Sequence, residues 1–275
     1  GVAMPTPVSD GRRVYVMTAL GTVACLDMKD GKVIWSRMAT GLKKTATDWL
    51  YTSPRLYGDV LLTCFGGLLW NGNRLIAWDR RNGKKLWDSP SEPGKRWGEG
   101  TNGGNMAILQ LPDSEDPTAP LTAVVLTPQG RLVRIADGKV YPLTLPAVSI
   151  YSGWGTNPDR PGFLCTNQAR PNSWNARMLS LKGHDVLQKT LWKHRGEVFS
   201  GRPVCWKDRI YCSKFQYDAQ GAFLGGKSKP KTEQNVGHNS PATNGTILVG
   251  AEHVYGIVAR RGTPLYDWGW GNAAC

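Results

Sequence analysis

The chain has 275 residues, 40% hydrophobic and 20% charged, with Gly 33 and Pro 18. This is enough apolar side chain for a packed core and too little charge for a disordered chain, while so many turn formers exclude a helical bundle or helical solenoid. The formal charge of +13 raises a polyanion partner, but the basic residues fall in short groups beside Gly or Pro and no helix, zinc finger or RNP-like string accompanies them, so no nucleic-acid footprint is expected.

The first series of elements starts at Thr6. It reads Pro, a short strand, an Asp10-Gly11 turn, a β-rich strand, a second turn, a strand ending at Asp27, and a tight turn closing on Gly31-Lys32, with Trp35 four residues after the Gly. The series restarts at Ser53 and closes on Asp79, Gly83, Lys84 and Trp87. The longest apolar run, 60–70, lies inside this second copy and contains Thr63, Gly66 and Gly67. It is too short to cross a bilayer of ~30 Å as a helix, and no membrane span is expected. A reduced third copy covers 121–141 with Asp137, Gly138 and Lys139, and a fourth runs from Ser152 to Trp192, keeping Gly183 and Trp192. The opening returns at 202–213 and again at 240–262.

After the opening Pro stands a turn pair: Asp10-Gly11, Gly58-Asp59, Lys207-Asp208 or Asn244-Gly245. Gly and Asn accept the positive φ that two-residue hairpins require. About six repeats of roughly 46 residues result, each with three or four short strands and none with a helical period. A repeat of this size cannot bury its own faces, and radial stacking of four-stranded antiparallel blades both buries them and protects the edges. The expected fold is all-β, a β-propeller of about six four-stranded blades or a fragment of a seven- or eight-bladed one. It forms a single domain over 1–275, with blades near 1–45, 46–98, 99–146, 147–195, 196–232 and 233–275.

Several motifs fail in context. The six cysteines, at 25, 64, 165, 205, 212 and 275, contain no CxxC pair and no zinc spacing. The Lys207-Asp208 turn sets Cys205 opposite Ile210 and leaves Cys212 diagonal to it, ~7 to 8 Å away and beyond disulfide reach. Most of the cysteines read as small buried apolar residues. Gly221, Gly226, Lys227 and Ser228 spell a phosphate-loop string, but the preceding segment is polar and Pro230 stands where a helix would begin, so no phosphate site follows. Gly98, Gly100 and Gly103 likewise form a Gly-rich loop without a buried strand before it. Trp78-Asp79 and Trp87-Asp88 lack the upstream Gly-His of WD repeats. Asn244-Gly245-Thr246 matches a glycosylation acceptor but coincides with a hairpin turn. His184, His194, His238 and His253 have no neighbouring nucleophile, so no triad can be assembled.

The recurring residues have a physical role of their own. Gly supplies the positive φ of the turn, Asp caps it, and Trp offers a flat area that clamps the next blade, so Trp35 and Trp87 are expected to be buried between blades. On Ala77, Asp79, Gly83, Lys84 and Trp87, with Asn82 in place of Thr, the second repeat resembles the PQQ-type repeat of the quinoprotein-like β-propeller family. The blade signature of that family ends in Ala-x-Asp-x-x-Thr-Gly-Lys-x-x-Trp. Asp27, Gly31, Lys32 and Trp35 match it too, with Cys25 in place of the Ala.

The resemblance implies one of two functional classes. One is a non-catalytic scaffold for protein or ligand binding, periplasmic or extracellular, in the bacterial envelope. The alternative is part of a PQQ- and calcium-dependent quinoprotein dehydrogenase acting on alcohols or sugars. Such enzymes place a disulfide between adjacent cysteines over the quinone, a Trp below it, and Glu, Asn and Asp on the calcium. No Cys-Cys pair exists here. The scaffold is therefore the expected class, with no catalytic residue, metal or cofactor and with a protein partner or small ligand on a propeller face. Three residues before the opening prolines stand Met4, Tyr51, Ser200 and His238, with Asp48, Trp49, Glu197 and Asn239 close by. In a propeller this register faces the central channel, which makes Trp49, Tyr51, Glu197, Ser200 and His238 the candidate ligand-binding residues.

Overall fold

Alternating apolar strands separated by Gly, Asp and Asn turns give a chain of small antiparallel sheets. The computed structural model describes residues 5–18, 21–39, 52–65, 74–89, 106–114, 118–146, 153–157, 159–168, 173–195, 203–206, 208–212, 215–218, 220–225, 246–250, 253–258 and 263–269. Among them there are only strands, turns and irregular segments.

The first sheet is a meander of β1 (Val8–Ser9), β2 (Arg13–Met17), β3 (Thr22–Asp27) and β4 (Val33–Met38). The second repeats it with β5 (Arg55–Tyr57), β6 (Val60–Phe65), β7 (Arg74–Asp79) and β8 (Lys85–Asp88). The third contains β9 (Ala107–Pro112), β10 (Leu121–Leu126), β11 (Arg131–Arg134) and β12 (Val140–Thr144). The fourth has β13 (Gly153–Thr156), β14 (Phe163–Gln168), β15 (Ser173–Lys182) and β16 (Asp185–Arg195). The fifth has β17 (Val204–Trp206), β18 (Arg209–Cys212), β19 (Phe215–Asp218) and β20 (Phe223–Gly225). The sixth has three strands among the described residues, β21 (Thr246–Gly250), β22 (His253–Val258) and β23 (Thr263–Gly269).

The chain divides into two compact units, one of Gly1–Ile108 with Ala123–Ile150 and one of Leu109–Thr122 with Tyr151–Cys275. In the first, the second sheet is buried on both faces. Leu61, Phe65, Ile76 and Trp78 pack with Tyr15, Val23, Cys25 and Trp35 of the first sheet. The alternate residues Leu62, Cys64, Leu75 and Ala77 pack with Val125, Val133 and Ile135 of the third. Two-sided burial explains why β6 and β7 read as continuous apolar runs and not as alternating ones. The single polar residue in β6, Thr63, accepts the indole N–H of Trp78 at 2.8 Å, so its burial is satisfied. In the second unit, Phe163, Cys165 and Ala176 of the fourth sheet pack with Cys205 and Ile210 of the fifth.

One irregularity recurs where the last two described strands of a sheet meet. Cys25 pairs with Trp35 but Leu26 with Val33, leaving Ile34 unpaired. Leu86, Leu191, Leu224 and Leu265 are passed over in the same way in β8, β16, β20 and β23. The residue after each bulge is Trp35, Trp87, Trp192, Gly225 or Tyr266. Trp192 is thus the positional equivalent of Trp35 and Trp87, facing Ala176 as Trp87 faces Ala77. Gly183 is not the equivalent of Gly31 and Gly83: it lies in the two-residue turn of a longer hairpin, between Lys182 and Asp185. In the third sheet the ladder slips between Val133–Val140 and Arg131–Thr144. Pro142, which has no N–H to give, occupies that slip on the edge strand.

The tryptophans reach forward onto the next sheet. A Cβ placed on Gly83 would stand 2.6 Å from Trp35 Cε3, and one on Gly138 would stand 2.8 Å from the ring of Trp87. The indole N–H groups donate to the carbonyls of Arg80, at 3.0 Å, and Ile135, at 2.8 Å. Trp35 is buried, whereas Trp87, on the shorter β8, is half-buried, less than the sequence suggests. Trp35→Ala is expected to cost about 3–5 kcal/mol and Trp87→Ala less, measured by urea denaturation. Gly83→Ala should be strongly destabilising in the native chain and much less so in the Trp35→Ala background, because the ring it strikes has gone. Additive losses would show that ring and glycine do not meet.

Candidate functional site

Three of the repeat turns share one hydrogen-bonded frame. Asp27, Asp79 and Arg134 donate their N–H to the carbonyls of Lys32, Lys84 and Lys139, each at 2.8 Å, and their own carbonyls accept from Gly31, Gly83 and Gly138. Side chains complete the frame. The Asp27 carboxylate accepts the Lys29 N–H at 2.7 Å and that of Asp79 the Arg81 N–H at 2.8 Å. Asp30, Asn82 and Asp137 accept the N–H two residues on. In the third sheet Arg134 stands where the other turns have Asp, and its guanidinium pairs with Asp137. The fifth sheet carries a shortened version: Asp218 accepts from Gln220 and Ala222 and encloses Gly221, which lies at φ 85 beneath the Trp192 ring. The first glycine of the phosphate-loop string is therefore a blade-turn glycine.

Charged groups gather where the first two sheets meet. Arg80 pairs with Asp10 at 2.9 Å and Asp59 at 3.2 Å, Arg81 pairs with Asp79, and Tyr15 donates its hydroxyl to Asp10 at 3.0 Å. Burial, aided by the Asp10 carboxylate, pushes the Tyr15 phenol up to about 12. Burial works against Asp10, yet the N–H groups of Arg12 and Arg13, the Tyr15 hydroxyl and Arg80 hold it below the ordinary carboxylate range. The Arg81 side chain does the same for Asp79. These acids are engaged in turns and ion pairs, and such groups are usually structural.

A different polar group was not anticipated from the sequence. Thr166 and Asn175 are cross-strand partners in the fourth sheet, 0% and 1% exposed, on the face opposite Cys165 and Ala176. The Thr166 hydroxyl and both amide atoms of Asn175 have no hydrogen-bond partner among the described residues, and neither has Arg177 Nη1 on the same face. Burial lowers Arg177 from its ordinary value. In the first unit, Arg55 on β5 has an orphaned Nε and is lowered by burial alone. The one legible signal was the alternation of polar 166, 175 and 177 with apolar 165, 176 and 178.

All five channel-mouth candidates, Trp49, Tyr51, Glu197, Ser200 and His238, lie outside the described residues. Next to Tyr51, Thr52 is buried, and Ser53 Oγ accepts the N–H of Thr6 at 2.9 Å, tying together the residues before Pro7 and Pro54. Among the described residues no three His, Cys, Asp or Glu side chains converge as a metal-ligand group. Cys25, Cys64, Cys165 and Cys205 are buried thiols.

A family model described as outer membrane protein assembly factor BamB, of the PQQ-repeat type, matches residues 1–141. The crystal structure of BamB from Moraxella catarrhalis is similar over 96% of this chain and 71% of that chain, at 16% identity and a TM-score of 0.53. The computationally designed Ika8 protein is similar over 96% of this chain and 72% of its own, at 12% identity and a TM-score of 0.57. No curated protein matches significantly. These likenesses establish the β-propeller fold, in which each sheet is a blade.

Two measurements probe the polar groups. Thr166→Val removes an unsatisfied buried hydroxyl and is expected to raise stability by about 1 kcal/mol, read from thermal melts; a loss would mean that the hydroxyl is paired. The Arg134 side chain, above all, holds Asp137 down to about 2. Its contribution to stability is present above the ordinary carboxylate pKa and disappears as pH falls through about 2. Carboxyl NMR titration should place Asp137 there and move it upward in Arg134→Ala.

Proposed function

Because the chain belongs to the PQQ-type repeat β-propeller family, its first 141 residues matching the BamB model, we propose that it is a non-catalytic propeller scaffold. It works through its faces, by protein contacts, in the assembly of outer membrane proteins in a bacterial periplasm. The carrying observation is what its polar residues do. The turn acids Asp27, Asp79, Asp137 and Asp218 accept backbone N–H groups, and the basic pair Arg80 and Arg81 is held by Asp10, Asp59 and Asp79. A side chain committed to a turn or an interlocking ion pair is unavailable as an acid, base or ligand. Surface apolar residues remain instead, with Met28, Val33, Ile34, Met38 and Leu86 exposed on or beside the outer strands β4 and β8. Apolar residues left in water at blade edges suit protein contacts better than chemistry.

The quinoprotein reading makes a contrary forecast. Adding PQQ and calcium to the purified chain is expected to leave its absorption spectrum the plain sum of the parts and to produce no dye-linked oxidation of alcohols or sugars. In-cell crosslinking, followed by mass spectrometry, is expected to recover envelope proteins engaged in outer membrane protein assembly. Stoichiometric quinone binding with turnover would replace the scaffold with a dehydrogenase.

A further inference from the structure

The chain has four Asn-Gly pairs, at 71, 82, 102 and 244, and the pair at 82 is the one that lies among the described residues. In such a pair the side-chain amide is open to attack by the next main-chain nitrogen, because glycine brings no Cβ to crowd the approach. Asn82 is exposed, yet the groups of that reaction are held in place. The Gly83 N–H, whose nitrogen would attack, donates to the Asp79 carbonyl at 2.8 Å. The amide under attack is tied on both sides: Asn82 Oδ1 accepts the Lys84 N–H at 2.8 Å, and Nδ2 donates to the Asp79 carboxylate at 3.3 Å.

The first blade adds two restraints of its own. For the Gly83 nitrogen to reach Asn82 Cγ, the planar peptide between the two residues must rotate as a unit, and the rotation swings the Asn82 carbonyl with it. Arg37 donates to that carbonyl at 2.9 Å. Above the peptide there is no room for the movement. A Cβ placed on Gly83, which is buried, would lie 2.6 Å from Trp35 Cε3 and 3.2 Å from Arg37 Cγ. Trp35 and Arg37 are alternate residues of β4, so a single strand of the neighbouring blade supplies both restraints, and both are lost together when that strand lifts.

We propose that Asn82 is a latent deamidation site, blocked while β4 of the first blade lies on the turn of the second and released when that contact opens. In the open turn the Gly83 nitrogen bonds to Asn82 Cγ and gives up its proton, the Cγ–Nδ2 bond breaks, and ammonia leaves a cyclic imide behind. Water then opens the imide at one of its two carbonyls. Opening at Cγ leaves aspartate and reproduces the first turn, where Asp30 stands at this place and pairs with Lys32 at 2.9 Å. Opening at the former peptide carbonyl leaves isoaspartate, whose main chain runs through the side chain and carries an extra carbon. A turn lengthened in this way no longer sets Gly83 beneath the Trp35 ring, so the isoaspartate form keeps the contact open. The site is independent of the scaffold reading.

The native chain, Arg37→Ala and Trp35→Phe are incubated at mildly alkaline pH, and the peptide carrying residue 82 is followed by mass spectrometry, with isoaspartate recognised by its resistance to a protease that cuts at aspartate. Conversion in the folded native chain should be about tenfold or more slower than in the same chain unfolded in guanidinium chloride, since protection follows the open fraction of the contact. Arg37→Ala removes an exposed side chain and Trp35→Phe keeps a ring in the core. Both should melt cooperatively and convert about threefold or more faster than the native chain. Equal rates in folded and unfolded chains overturn the proposal. So do unchanged rates in both folded variants, which would place the block in the turn's own hydrogen bonds. With Asn71→Gln, Asn102→Gln and Asn244→Gln leaving Asn82 as the one Asn-Gly pair, material aged unfolded and then refolded should contain an isoaspartate fraction that melts below unaged material. An isoaspartate fraction that melts with the unaged chain would overturn the claim that this product keeps the contact open.

Discussion

A tryptophan ring laid over a side-chain-free turn is the contact on which the stacking of the blades depends. It ties together residues far apart in sequence: Trp35 with Gly83 and Arg80, Trp87 with Gly138 and Ile135. The ring needs a flat floor, the floor needs a residue without Cβ, and the same residue must turn the chain at positive φ. Glycine meets both demands at once, which makes the position doubly restricted. The bulge one residue earlier turns the ring away from the ladder of its own sheet and toward the neighbour, leaving a leucine or isoleucine unpaired on the edge.

The polar frame of the turn is less restricted than the ring and its floor. What the three turns share is a set of backbone hydrogen bonds, and two of them add a link between the first residue and the residue before glycine. Asp79 with Asn82 supplies that link in one blade and Arg134 with Asp137 in another, with donor and acceptor exchanged. The repeat therefore tolerates reversed chemistry at these two positions. A motif defined by residue identity misses such a pair, whereas one defined by geometry includes it.

The repeat architecture was legible because its signals are local. Pro and hairpin-turn pairs mark the openings, and Tyr57 pairs with Val60 across Gly58-Asp59 as that spacing predicts. Cys205 faces Ile210 for the same reason. Legibility fails where a feature depends on register between distant strands. Lengthening β15 and β16 moved Trp192 nine residues from Gly183, so the true partner glycine, Gly221, was hidden in a string resembling a phosphate loop. Arg134 masked the third turn because its charge is opposite to that of the expected acid. Thr166 and Asn175 escaped notice because nothing in a single strand reveals that two polar residues will be paired and sealed together. The channel-mouth candidates were chosen by their offset from proline and fall outside the described residues, so they carry no weight in the site described above.

The buried thiols make the folded and unfolded chain chemically different toward oxidants. Burial pushes Cys64 and Cys205 up to about 12 and raises Cys25 as well. An exposed thiol titrates near ~8.5, and the thiolate is the form that attacks a disulfide. Folding therefore disfavours the attacking species as well as hiding the sulfur. In an oxidising compartment the interval before the blades close is the period of hazard, and afterwards the same cysteines are inert apolar filler. A blade that closes quickly by local hairpins shortens that interval, so the short-range turns that shape the repeat also protect its sulfur chemistry.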